Sequence, residues 1–342
     1  MINIKSIKTV VPGKPVRQDT SCTLLSGSFG YDGMAEKIFE NTKILSRHFV
    51  LHPIQWRTTS WQRLCEIYKE RSVELSVDAG ERLLKKGDIG NVGCMVFASC
   101  TGYMAPPPSF YIASGLGLNT NVRHQNLLGH GCSAFIPALK AGHDYIKANE
   151  NKNRSSFKTT AIVIATELYS TCYSREATVE GIICNAIFGD ASVAALVGNG
   201  HDGISIVDFE CETVNEQAKI LGLDWKKGEL SVVLGKEVPT VGGDISKRVV
   251  EKMLKRNRLK ISDIDSWIVH CGGTRVLNSV QETFNLTDEN MEASWSIYER
   301  YGNTSSTSVG FVLESIWDKI EGYGIMLSFG PGFTCETALL KK

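Results

Sequence analysis

The sequence predicts an α/β protein built from two similar halves, and three observations carry that prediction. Short apolar runs alternate with amphipathic stretches along most of the 342 residues. The pattern resets at the turn-rich Asn199-Gly200-His201-Asp202-Gly203, which divides the chain into 1–200 and 201–342. Each half also runs a strand-like segment into a reactive side chain, Cys132 in the first and His270 in the second.

Met1 to Lys5 reads as a first strand, since it has neither the length nor the flanks of a signal peptide. Gly93 to Cys100 is a short apolar run that suits a buried strand, and Pro106-Pro107-Pro108 after it marks a loop. Ala134 to Ile146 has helical spacing. Thr160 to Ala165 is a further buried strand, and Asn185 to Gly198 holds Phe188-Gly189-Asp190 followed by a strand of small apolar residues. In the second half, Ile204 to Cys211 and Leu230 to Leu234 are strand-like, and Thr240 to Arg256 is an amphipathic helix. Ser266 to His270 is a strand that ends in a reactive loop. Gly324 to Phe329 and Phe333 to Leu340 flank Gly330-Pro331-Gly332 as a hairpin.

Composition excludes several classes. With 37 basic and 37 acidic residues there is no excess charge to hold nucleic acid. The Lys252 to Lys260 stretch is interrupted by apolar residues at helical spacing, as on a solvated helix face. No window of eighteen apolar residues is present to span a membrane. The ten cysteines form no CxxC pair, which argues against structural zinc and for reduced thiols in a cytoplasmic protein.

Cys132 stands out among them. It follows Leu127-Leu128-Gly129-His130-Gly131 and precedes the helical stretch, so the thiol lies where a helix dipole and free N–H groups favour thiolate. Downstream come His270-Cys271-Gly272-Gly273 and Tyr301-Gly302-Asn303-Thr304-Ser305-Ser306. Thiol, imidazole and carboxamide are the parts of an acyl-transfer site.

In this order, Cys132, His-x-Gly-Gly, Gly-Asn-x-Ser-Ser and Gly-Pro-Gly, with Phe188-Gly189-Asp190 and Val238-Pro239, resemble the type III polyketide synthases of the thiolase superfamily. The likeness extends from about residue 90 to the C-terminus, with Phe329-Gly330-Pro331-Gly332-Phe333-Thr334-x-Glu336-Thr337 its most specific piece. Before that only Ser46-Arg47-His48 is similar to the family, where it belongs to an early helix. Three positions depart from the pattern. The nucleophile continues as Ser133-Ala134-Phe135 rather than toward Gly-Gly, as in ketoacyl synthase III; Val232 replaces an aromatic; Cys271 replaces the proline after the histidine.

The resemblance implies a five-layered αβαβα thiolase fold, a homodimer joined along a sheet edge, and decarboxylative Claisen condensation. Cys132 would carry the acyl starter, and His270 and Asn303 would stabilise the enolate left when a malonyl thioester loses carbon dioxide. A protonated His270 would hold Cys132 as thiolate in an ion pair. Phe188 would be the gatekeeper between tunnel and cavity, with Tyr169, Cys172, Val232, Ser305 and Pro331 around the substrate. Tyr169, large where many relatives have a small residue, narrows the cavity and Val232 widens it. Arg275, with Lys43 and Arg47, is a candidate for the phosphates of coenzyme A or of an acyl carrier protein's arm. Malonyl-CoA and acyl-CoA are the implied substrates, with no metal and no tightly bound cofactor.

Three other readings compete. A single-condensation enzyme similar to ketoacyl synthase III suits the Cys-Ser-Ala-Phe run. A thiol peptidase shares the Cys, His, Asn order but not the sequence around the nucleophile. A non-catalytic partner subunit would normally have lost one of Cys132, His270 and Asn303.

Overall fold

The computed structural model describes residues 1–150, 158–217, 219–226 and 229–342. The first half supplies strands β1 (Ile2–Val10), β4 (Val92–Ser99), β5 (Arg123–Leu128), β6 (Thr160–Glu167) and β7 (Ala191–Asn199). The second supplies β8 (Ile204–Thr213), β11 (Ile264–Val269), β12 (Tyr323–Gly330) and β13 (Thr334–Lys341). Two short ribbons lie apart: β2 (Val16–Arg17) with β3 (Ser46–Arg47), and β9 (Leu221–Lys226) with β10 (Glu229–Leu234). The order β11-β12-β13-β8-β1-β7-β6-β4-β5 makes one continuous sheet. Its two halves touch only through Asn3–Ser205 and Ile4–Ile204, a weak seam between two well-formed sheets.

The helices are α1 (Gln18–Phe29), α2 (Gly33–Asn41), α3 (Trp61–Leu83), α4 (Pro108–Gly115), α5 (Phe135–Asn149), α6 (Val179–Ile187), α7 (Val238–Arg256), α8 (Thr274–Phe284), α9 (Asp288–Tyr301) and α10 (Ser308–Ser315). They sort into layers. Helices α3 and α4 cover the outer face of the first-half strands, and α7 and α9 cover the second. Between the sheets lie α5, which packs on β4, β6 and β13, and α10, which packs on β1, β11 and β12. This is the expected αβαβα stack. The middle layer explains why β4 and β6 are buried on both faces, so that their sequences are continuous apolar runs rather than alternating ones.

The strands read from sequence are present, with boundaries moved by at most two residues except for the first, which runs five residues further, to Val10. Two expectations are corrected. Pro108 is not loop but opens α4, where its missing N–H costs nothing. Ser46-Arg47 forms strand β3 against β2, not a helix. The basic face at the end of α7 is solvated as expected and carries exposed ion pairs: Lys252 reaches Glu210 at 3.1 Å, and Arg256 reaches Asp208 at 2.8 Å and Glu210 at 2.5 Å. Such exposed pairs contribute ~0–1 kcal/mol each.

Candidate active site

The site forms where three segments converge on β12. Cys132 lies in the 3₁₀ turn Gly131–Ser133 just before α5, and its carbonyl accepts a 2.7 Å hydrogen bond from Ser328 Oγ. His270 follows β11, and its N–H donates to the carbonyl of Leu327 at 2.9 Å. Neighbouring residues of one strand therefore hold the thiol-bearing turn and the imidazole. Gly131 has φ +52°, and a side chain there would collide with the ring of Pro331. The glycine lets the Gly330-Pro331-Gly332 turn close over the nucleophile.

Asn303 arrives from the third segment, after α9. Its N–H donates to Ile187 O at 2.8 Å and its carbonyl accepts from Gly189 N–H at 3.0 Å, so it is bridged on both sides of Phe188. Gly302 before it has φ +71°, and an added Cβ would lie 2.5 Å from Ile187 O. The Asn303 side chain is oriented too: Oδ1 accepts from Ser305 N–H at 2.8 Å and Nδ2 donates to Gly272 O at 3.4 Å. One amide hydrogen remains for a substrate oxygen. His270 Nδ1 is 2.5 Å from Ser308 Oγ, which leaves Nε2 for chemistry. Both residues are buried, at 3% exposure.

Ser305 Oγ donates to Cys132 Sγ at 3.4 Å and lies 3.6 Å from Cys100 Sγ. Beside them sits Glu167, fully buried at the end of β6. Its carboxylate accepts from Ser306 Oγ at 2.6 Å, Cys100 N–H at 3.0 Å, Thr101 Oγ1 at 3.1 Å and Cys100 Sγ at 3.3 Å. Burial pushes the Glu167 carboxyl up despite these four donors.

Burial also pushes the Cys132 thiol up to about 12, with the Ser305 hydrogen bond opposing it, and the His270 imidazole down to about 3. Neither group carries a charge at neutral pH by itself.

The cavity next to Cys132 is lined by Phe188, Tyr169, Cys172, Val232, Ser305 and Pro331, the six residues named from sequence. The cavity is partly open and small, with a volume of about 40 Å³, room for only a few waters. The Tyr169 ring stacks on Phe188 at 4.7 Å, and Tyr169 Oη donates to Asn185 Oδ1 at 2.9 Å, so this wall of the cavity is held on two sides. His270 and Asn303 stand behind this lining rather than in it.

The candidate phosphate contacts fare differently. Arg47 is corrected outright: it is wholly buried and donates to Gln18 Oε1, Asn185 O and Phe188 O, out of reach of any phosphate at a tunnel mouth. Lys43 is exposed, with its ammonium 5.1 Å from the centre of the Trp295 ring. Arg275 is exposed on the first turn of α8, just past Gly272-Gly273. Neither Lys43 nor Arg275 lines the cavity.

Sequence reasoning missed Ser308, Cys100, Thr101 and Glu167. Ser308 had a faint signal, a hydroxyl at the first position of a helix that begins five residues after Asn303. Glu167 had a better one, a lone carboxylate closing the apolar run of β6. Among the described residues, no group of three or more His, Cys, Asp or Glu side chains could hold a metal ion. No helix of these residues is long and apolar enough to cross a membrane.

Known proteins with this arrangement are acyl-transferring enzymes. The 3,5-dihydroxyphenylacetyl-CoA synthase of Streptomyces toyocaensis is 27% identical over 332 residues, covering 91% of this chain and 83% of that one. The alpha-pyrone synthesis polyketide synthase-like Pks18 of Mycobacterium tuberculosis is 25% identical, covering 98% and 90%. The C-terminal type III polyketide synthase domain of Steely1 from Dictyostelium superposes with a TM-score of 0.92 at 24% identity, covering 100% of this chain and 99% of that one. Residues 38–201 match the N-terminal domain of chalcone and stilbene synthases and residues 210–342 match their C-terminal domain. By these two domain matches the chain belongs to the chalcone and stilbene synthase family, the type III polyketide synthases, acyltransferases of thiolase fold.

Proposed function

We propose that this enzyme loads an acyl starter on Cys132 and extends it with malonyl units by decarboxylative Claisen condensation, with His270 and Asn303 as the donors to the developing enolate. The observation that carries the assignment of roles is the shared scaffold: Ser328 and Leu327 hold Cys132 and His270, while Phe188 and its neighbours hold Asn303.

In the first half-reaction His270 Nε2 takes the thiol proton as sulfur attacks the thioester carbonyl. The carbon–sulfur bond to coenzyme A breaks, and the proton passes to the departing thiolate. In the second, malonyl-CoA loses carbon dioxide and its electron pair moves onto the thioester oxygen. His270 and the Asn303 amide stabilise that charge, in a buried site where such bonds are strong. The carbanion then attacks the Cys132 acyl carbon, forming the new C–C bond and releasing Cys132 as thiolate.

The small cavity supports a short starter and few extensions. One extension is the limiting case, in which the enzyme works like a ketoacyl synthase III. Coenzyme A thioesters, which the family uses, are the proposed carriers, and Arg275 and Lys43 are exposed cations offered as contacts for their phosphates. A homodimer fits the unpaired edge at β5, beside which Tyr103, Phe110 and Tyr111 are 71%, 50% and 46% exposed. Intact-mass measurement after incubation with acyl-CoA thioesters of graded length tests the loading step. One acyl increment in the wild type and none in Cys132→Ser is expected; an increment retained in the variant refutes the assignment.

A further inference from the structure

Arg47 is a buried cation that no carboxylate meets. Its Nη1 donates to Asn185 O and Phe188 O, both at 2.7 Å, and its Nε donates to Gln18 Oε1 at 3.0 Å. Nη2 has no hydrogen-bond partner among the described residues. The nearby Asp190 is occupied elsewhere, accepting from Val50 N–H at 2.7 Å, Ser170 N–H at 2.9 Å and Ser170 Oγ at 2.5 Å. Taking a charge out of water without an ion-pair partner is costly, so its neighbours have to offset it.

The offset comes from a helix end. Asn185, Ala186 and Phe188 carry the last carbonyls of α6, which helical geometry leaves without donors and with negative partial charge. Arg47 takes two of them, and Gln18 Nε2 donates to the third, Ala186 O, at 2.7 Å. The Phe49 ring adds a π face, its centre 5.0 Å from the guanidinium.

What this end carries is the site. Phe188 is the C-cap of α6, and the backbone on either side of it holds both peptide groups of Asn303. The Arg47 stem also runs directly beneath the bridge, since a Cβ on Gly302 would lie 2.8 Å from Arg47 Cδ. We infer that Arg47 is a positioning residue for the condensation half-reaction: it fixes the end of α6 and thereby the gatekeeper Phe188 and the enolate donor Asn303 relative to each other. The inference rests on the roles proposed above for Cys132 and Asn303. Cys132, held by β12 and the Gly-Pro-Gly turn, lies outside its reach.

Arg47→Lys tests it, because a lysine keeps the charge but cannot hold two carbonyls and a side-chain amide in one plane. Acylation of Cys132 by butyryl-CoA and carbon dioxide release from malonyl-CoA are measured separately. Both rates are counted per Cys132 that accepts an acyl group, so unfolded molecules drop out. The expected result is acylation within about threefold of wild type. Decarboxylation kcat should fall at least tenfold with KM for malonyl-CoA little changed, as expected when an interaction specific to the transition state is lost. Wild-type decarboxylation in the variant, or loss of both half-reactions together, overturns the inference. Failure of the wild type to acylate or decarboxylate would instead overturn the functional reading beneath it.

Discussion

Replacing His270 by Gln should strand the Cys132 thiol at the value its burial dictates. Burial, partly opposed by the Ser305 hydrogen bond, pushes that thiol up to about 12, and burial pushes the imidazole down to about 3, so each charge is costly alone and the proposed mechanism has the two form as a pair. The sign follows directly. In the wild type, proton transfer to His270 creates thiolate below the pH at which a lone thiol would ionise. In His270→Gln no acceptor remains, and thiolate grows tenfold per pH unit toward the burial value. At pH 7 the variant should react at least ~10³-fold more slowly, after allowing for the greater intrinsic nucleophilicity of a high-pKa thiolate. The assay is iodoacetamide alkylation read at the Cys132 peptide by mass spectrometry, between pH 6 and 9.5, with the other nine cysteines as internal references. Wild-type alkylation should level off within this range, and the variant's should climb log-linearly. A wild type with no plateau would show that the pair does not form. A variant with the wild-type plateau would show that some group other than His270 lowers the thiol.

Asn303→Ala removes one enolate donor, and malonyl-CoA decarboxylation should drop by about 10²–10³ while Cys132 acylation persists; an equal loss in both steps would mean the loop had collapsed. Tyr169→Ala deletes the ring stacked on Phe188 and should enlarge the cavity, shifting product masses upward by added malonate units in chromatography–mass spectrometry. An unchanged product set would remove Tyr169 as a limit on length. Gly131→Ala drives a methyl into Pro331 at a positive φ, so acylation should fail even where circular dichroism shows a native fold. Ser308→Ala leaves the His270 ring without its Nδ1 partner and should slow both half-reactions by ~10-fold or more, with the pH profile moved.

Much of this was legible along the chain, for identifiable reasons. Buried strands such as β6 announce themselves because a strand covered on both faces is mostly apolar rather than alternating, and Cys132, His270 and Asn303 announce themselves because each sits at an abrupt strand or helix end within two residues of a glycine. The cavity lining was legible as well, since Tyr169, Cys172, Phe188, Val232, Ser305 and Pro331 belong to segments whose order matches a known family. Arg47 was not. An arginine in the polar-looking run Ser46-Arg47-His48 reads as surface, and only the folded chain shows it closed off beneath α6 with its charge spent on carbonyls from residues 185 and 188. Ser308 and Glu167 were hidden for the same reason. Local sequence determines which segments become strands, helices and turns, because backbone sterics and apolar periodicity act over a few residues. Which polar side chains meet across 130 residues or more, and what burial then does to their charges, is decided by packing, and only the tertiary structure holds that information.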